Sequence, residues 1–105
     1  GDGIWLTGSV GRAMLGFEGA PEYRAAFDRP VPRLAEGRAL APLVSAMMDV
    51  SDGLLLDAFR MACASGVTFA LEPGVIPVAD RTRLAQCIRW GDDYELLFAA
   101  PADCV

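Results

Sequence analysis

The chain has no histidine and no lysine; its nine basic residues are all arginine. Without histidine, the commonest general base and a frequent zinc ligand are missing. The arginines form no cluster and the formal net charge is −5, which excludes an electropositive nucleic-acid surface. No apolar run reaches the ~20 residues that a membrane-spanning helix needs, so no membrane partner is expected. No charged segment followed by an apolar stretch marks a secretory leader. Cysteine is scarce and odd in number: Cys63, Cys87 and Cys104 match no zinc spacing. Cys63 and Cys87 fall within predicted helices, where buried free thiols are expected, and this suits a reducing cytoplasm.

What is present is enough apolar material for a core. At 105 residues and 53% hydrophobic, the composition fits one domain; the strand-like and helical stretches along it read as the α+β class, with a mixed sheet and helices packed on it. Ile4 to Thr7 reads as a short strand, and Val10, Met14, Leu15 and Phe17 as one side of a short helix. The Thr7-Gly8-Ser9 turn reads as packing rather than a ligand loop, since its glycines do not follow the dinucleotide pattern. Pro21, Pro30 and Pro32 break the stretch from Glu18 to Pro32, leaving one or two helical turns between Tyr23 and Phe27. The extended Arg29-Pro30-Val31-Pro32-Arg33 segment reads as solvated charge. Leu34 to Leu40 is helical in pattern.

The densest chemistry lies at Met48-Asp49-Val50-Ser51-Asp52-Gly53-Leu54, where an apolar strand hands over to an amphipathic helix running to about Ala64. Free N–H groups at a helix start favour phosphate. Asp49 and Asp52 oppose it, unless a cation such as Mg²⁺ lies between. The simpler reading is that Ser51 or Asp52 caps the helix; Asp49 is not needed for a cap and, if buried at a strand end, requires a partner. Asp57 and Arg60, one turn apart, are expected to pair on the outside. Ser65-Gly66 stops the helix. Val67, Phe69 and Leu71 alternate as in a half-buried strand, Val75 to Val78 reads as an edge segment, and Asp80 caps a helix to about Trp90. A second acidic turn, Gly91-Asp92-Asp93-Tyr94-Glu95, precedes the apolar strand Leu96 to Ala100. The last residues, Pro101 to Val105, read as the edge of a domain cut short.

Together, Met48 to Leu54 and Gly91-Asp92-Asp93-Tyr94-Glu95-Leu96-Leu97-Phe98 resemble the thiamine-monophosphate kinase family. Thr7 to Gly11 and Arg29 to Arg33 follow its order as well. The first motif is shared across the aminoimidazole ribonucleotide synthetase superfamily; the second points to the thiamine enzyme. The resemblance implies that residues 1–105 are a C-terminal domain, with the N-terminal ATP-binding domain absent and little or no activity on its own. In the whole enzyme it implies ATP-dependent phosphorylation of thiamine monophosphate, Mg²⁺ and a homodimer. It matches Asp49 and Asp52 to metal ligands, Ser51 to an ATP contact and Asp92 to a contact with the thiamine substrate. It assigns no catalytic acid or base. Trp90 stands where the motif has its first glycine, and Asp92 replaces a glutamate. Two rivals are another enzyme of the same superfamily and a non-catalytic ligand- or partner-binding domain.

Overall fold

The computed structural model describes residues 1–104. Its sheet has three strands, β1 (Gly3–Leu6), β2 (Ala46–Asp49) and β3 (Leu96–Ala100), in the order β1-β3-β2. Both pairings are antiparallel, with Leu6 opposite Leu97 and Met48 opposite Leu97. The α+β class is as expected; among the described residues the parallel pairing is an isolated bridge between Val10 and Val78, outside the three strands. β3 lies in the middle, and four of its five residues in a row are buried, so both of its faces are covered, which its apolar run Leu96 to Ala100 allows.

The helices are α1 (Arg12–Phe17), α2 (Arg24–Asp28), α3 (Leu34–Leu40), α4 (Leu54–Ser65) and α5 (Leu84–Cys87), with short 3₁₀ turns between them. Side chains alternate across a strand, so Ile4, Leu6, Ala46, Met48 and Leu97 share one face. Against that face packs the α4 stripe Leu54, Ala58 and Met61, spaced four and three residues apart. Val10, Val50, Ile76 and Ile88 complete this core. Gly66 ends α4 in the left-handed conformation (φ 68°), as a C-terminal glycine allows. Among the described residues no helix is long and apolar enough to cross a membrane.

Three local expectations fail, each for a physical reason. Residues 67–71 form no strand. Phe69 and Leu71 do pack on the core, so the alternation correctly reports a half-buried extended chain. A ladder also needs a neighbour, and an apolar groove of about 770 Å³, lined by Ile4, Leu6, Phe69 and Leu71 among others, lies beside this segment. The helix from Asp80 is shorter than its pattern. Asp80 does cap it, accepting from the Thr82 N–H at 3.0 Å, but α5 stops at Cys87, where Arg89 N donates to the Gln86 carbonyl at 3.1 Å in a tighter turn and Arg89 Nη1 takes the Ala85 carbonyl at 2.8 Å; past that end the Ile88 carbonyl accepts from Leu55 N at 3.0 Å, satisfying an N–H of the first turn of α4. Of the cysteines, Cys87 is buried as expected, whereas Cys63 is exposed, since it falls off the α4 stripe that faces the sheet.

Candidate functional site

The two acidic turns, distant in sequence, are continuations of neighbouring strands. Asp49 pairs with Leu96 across β2 and β3. Beyond that pair the backbones keep bonding: Val50 N to Glu95 O, Tyr94 N to Val50 O and Asp92 N to Ser51 O, each at 2.8 Å. The chains approach so closely that a Cβ on Gly91 would sit 2.4 Å from the Ser51 carbonyl oxygen. Gly53, at φ 127°, would bring one to 2.6 Å from the Arg89 carbonyl oxygen. Glycine is therefore required at both positions by contact, and at Gly53 by conformation as well. Asp92 (φ 65°) and Tyr94 (φ 52°) hold left-handed conformations without being glycine. Such backbone is costly for a tyrosine and persists only where its surroundings fix it.

In the first turn the helix is not capped by Ser51 or Asp52. The N-cap position is Gly53, which has no side chain to offer. The anchoring is done from inside α4: Asp57 is fully buried and its Oδ2 accepts from Ser51 N at 2.9 Å and Asp52 N at 3.1 Å. Its Oδ1 accepts from Arg60 Nη1 at 3.1 Å. The Asp57–Arg60 pair expected on the outside thus has its carboxylate in the core, and Asp57 holds the turn backbone. The same Arg60 nitrogen also bonds Asp52 Oδ2, and these two carboxylates, Asp52 first, hold the guanidinium above its ordinary pKa. Asp49 is exposed at the end of β2, so the expected burial cost does not arise. It borders a groove of about 360 Å³ with Tyr94, Leu34 and Pro32.

In the second turn only Asp92 is exposed, with the Tyr94 hydroxyl 3.5 Å from its Oδ1. Asp93 turns inward and accepts from Gly11 N at 2.9 Å and Ala13 N at 3.1 Å, closing the N-terminus of α1. Burial pushes the Asp93 carboxyl above the ordinary range, against those two backbone bonds, which lower it. Glu95 is buried as well. Its Oε1 accepts from Thr7 Oγ1 at 3.0 Å and Arg33 Nε at 2.7 Å, and its Oε2 from Arg33 Nη2 at 3.2 Å. Arg33 is therefore not solvated loop charge; Glu95 raises its pKa further, so it is cationic at every working pH. Thr7 Oγ1 accepts in turn from Leu96 N at 2.8 Å, so the turn after β1 is tied to the start of β3. Trp90 packs its ring 5.5 Å from that of Phe17.

Three of the four carboxylates singled out in the sequence, Asp49, Asp52 and Asp92, thus stay exposed on one unit of paired turns, with Ser51 between them. Asp57, Glu95 and Arg33 instead hold the turns in place; their signal in the sequence is a charged residue beside a core stripe or strand, where burial demands a partner. Among the described residues, no group of three or more acidic, histidine or cysteine side chains could hold a metal ion.

No protein-family model matches the chain. It is 36% identical over 115 aligned residues to thiamine-monophosphate kinase of Halobacterium salinarum, covering all of this chain and 40% of that relative. Thiamine-monophosphate kinase of Stenotrophomonas maltophilia K279a superimposes on 98% of the chain with a TM-score of 0.87 and 33% identity, over 40% of that protein. A solved AaThiL complex with AMPPCP and TMP covers the whole chain with a TM-score of 0.90 and 25% identity, over 41% of its own length. The chain spans about 40% or less of the length of the curated relatives it matches.

Proposed function

This chain is homologous along its whole length to one segment of thiamine-monophosphate kinase, and from that premise we propose that it is the C-terminal domain of such an enzyme. The reaction is transfer of the γ-phosphate of ATP to thiamine monophosphate. The observation that carries the reading is the pairing of the two acidic turns: three backbone bonds keep Asp49, Ser51, Asp52 and Asp92 on one rigid unit with their side chains outside the core. Phosphoryl transfer asks mainly for positioning and charge neutralisation; paired turns supply the first, and exposed carboxylates can hold a cation that supplies the second.

The donor set fits Mg²⁺ of a particular kind. Two carboxylates are too few for a closed protein site, but Mg²⁺ is commonly held by one or two carboxylates and completed by substrate phosphates. Asp52 already carries a cationic group, the Arg60 guanidinium. Asp49 and Asp52 would hold the ion, which when bound neutralises charge on the phosphates. Ser51 sits beside them at the start of α4 as the ATP contact. Asp92 holds the thiamine end, since a carboxylate attracts a thiazolium or accepts from an aminopyrimidine. The nucleotide domain comes from the part of the family enzyme that this chain does not match, a homodimer and a cytoplasmic location belong to the same reading, and the chain alone does not turn over.

The test is an amide NMR titration of the chain with thiamine monophosphate, then with ATP and Mg²⁺, beside an assay for thiamine diphosphate. Thiamine monophosphate should shift Asp92 and its neighbours, ATP with Mg²⁺ should shift Ser51 and Asp52, and no product should form. Shifts confined to other surfaces, or turnover near the typical kinase range of about 1–100 s⁻¹, would overturn the assignment.

A further inference from the structure

We infer that Arg60 is the resident counter-ion of the first acidic turn, displaced from Asp52 by the divalent cation and retained by Asp57 when that happens; this rests on the metal reading above. The geometry separates the two ends of the bridge. Asp57 is fully buried and also accepts two backbone N–H groups, so its carboxylate has no freedom to move. Asp52 is 52% exposed and the Arg60 side chain 50% exposed. A single Nη1 atom serves both carboxylates, so leaving Asp52 breaks one bond and keeps the other. The Asp52 bond is the closer of the two, but it joins two half-exposed side chains that can part, whereas the Asp57 end is fixed in the core.

Two consequences follow for a cation at Asp52. In its absence, Arg60 offsets the repulsion that Asp52 and Asp57 would otherwise exert at the start of α4. In its presence, Arg60 is a competitor, because its positive charge sits on Asp52 Oδ2 and repels a cation brought to the same carboxylate. The turn therefore stays ordered without metal and binds it less tightly than two free carboxylates would. Arg60 is a positioning residue by this account: it acts through Asp52 and need not touch the substrate.

The measurement is a titration of the chain with Mg²⁺ alone, against NaCl of matched ionic strength, following the amides of Ser51 and Asp52 and the side-chain Nε–H of Arg60. Expected is movement of Arg60 Nε–H with the same midpoint as the Asp52 amide. In Arg60→Gln the midpoint should fall by about two- to fivefold, the scale of losing an exposed ion pair. If the Asp52 amide titrates while Arg60 Nε–H stays still, the inference is wrong and the metal reading survives. An unchanged or higher midpoint in a folded Arg60→Gln has the same meaning, since a merely structural Arg60 would weaken binding when lost. Should that variant not fold, the wild-type Arg60 signal decides. Absence of any Mg²⁺-specific shift at Ser51 and Asp52 overturns both.

Discussion

The two acidic turns share a composition and differ in what becomes of their acids. In the first, both turn carboxylates face outward, and the backbone is held by a third, Asp57, reaching back from inside α4. In the second, Asp93 and Glu95 both go inward and only Asp92 stays outside. The cause is what lies beneath each turn. Under the second lie the free N–H groups of α1 and the guanidinium of Arg33, so burying a carboxylate there gains charge-assisted bonds that offset its desolvation. Next to the first turn, the core-facing place is already filled by Asp57. The second turn is therefore chiefly a structural clasp, joining the start of α1, the end of β1 and the segment before α3, while the first is an anchored platform.

The sharpest way to break this comparison is at Glu95. Glu95→Gln leaves the Arg33 guanidinium facing a neutral amide, and breaking a buried ion pair by removing one partner costs about 3–5 kcal/mol. Arg33 keeps 31% of its side chain in solvent, which places the expected loss near the bottom of that range, about 3 kcal/mol. Urea unfolding measures it. A loss under about 1 kcal/mol, the scale of an exposed pair, would mean that Glu95 is no clasp.

Asp93 gives a smaller effect with a pH signature. Asp93→Ala removes the acceptor at the start of α1, which typically costs about 1 kcal/mol. Burial raises the Asp93 carboxyl in the folded state, so between the ordinary carboxylate pKa and that raised value the native state binds a proton more readily than the unfolded chain. By linkage, the contribution of Asp93 to stability grows as pH falls through the raised value and is smallest above it. The gap between wild type and Asp93→Ala should accordingly be wider at acidic than at neutral pH, as read from thermal unfolding across that range. A gap that widens with rising pH would show that the bonds from Gly11 and Ala13, which stabilise the charged form, outweigh burial.

These inward acids also mark the limit of what the sequence makes legible. Short apolar runs bounded by turn residues located all three strands, and helical spacing and a glycine stop located the helix from Leu34 to Leu40 and the end of α4 at Gly66, because these are local properties of the chain. Periodicity could not end α5 at Cys87, where the ladder tightens: Arg89 N donates to the Gln86 carbonyl, and the Ala85 carbonyl accepts from the Arg89 side chain instead. Nor could it show that residues 67–71 lack a partner strand. For the site, the pattern of acids singled out Asp49, Asp52, Asp92 and Asp93, and the family resemblance chose Asp92 from the second pair; Asp49, Asp52 and Asp92 are the exposed ones. Direction was not legible: Asp92 and Asp93 are adjacent and of one type, and only the approach of Gly11 and Ala13 decides which turns inward. Arg33 reads as loop charge in the sequence because its partner Glu95 lies in a different segment.

Asp92 is where the smallest effect on folding is expected and where the comparison becomes most informative. Its side chain is exposed, its 3.5 Å approach to the Tyr94 hydroxyl is too long to count for much, and its fixed contact is through the backbone, N–H to the Ser51 carbonyl at 2.8 Å. Asn keeps that N–H and tolerates the left-handed conformation at φ 65° that most residues resist. Asp92→Asn should therefore change stability by no more than about 0.5 kcal/mol, as exposed substitutions generally do. A charge-assisted bond to a ligand is worth about 1.5–3 kcal/mol, so if Asp92 holds the thiamine end, the same substitution should weaken thiamine monophosphate binding by roughly ten- to a hundredfold and leave the Mg²⁺ response at Ser51 and Asp52 as it was. Calorimetry or NMR titration on the folded variant separates the cases. Unchanged binding with unchanged stability would make Asp92 an ordinary solvated acid. A loss of stability on the scale of Asp93→Ala would mean that all the acids of the second turn serve the fold, and that the exposed site is the first turn alone.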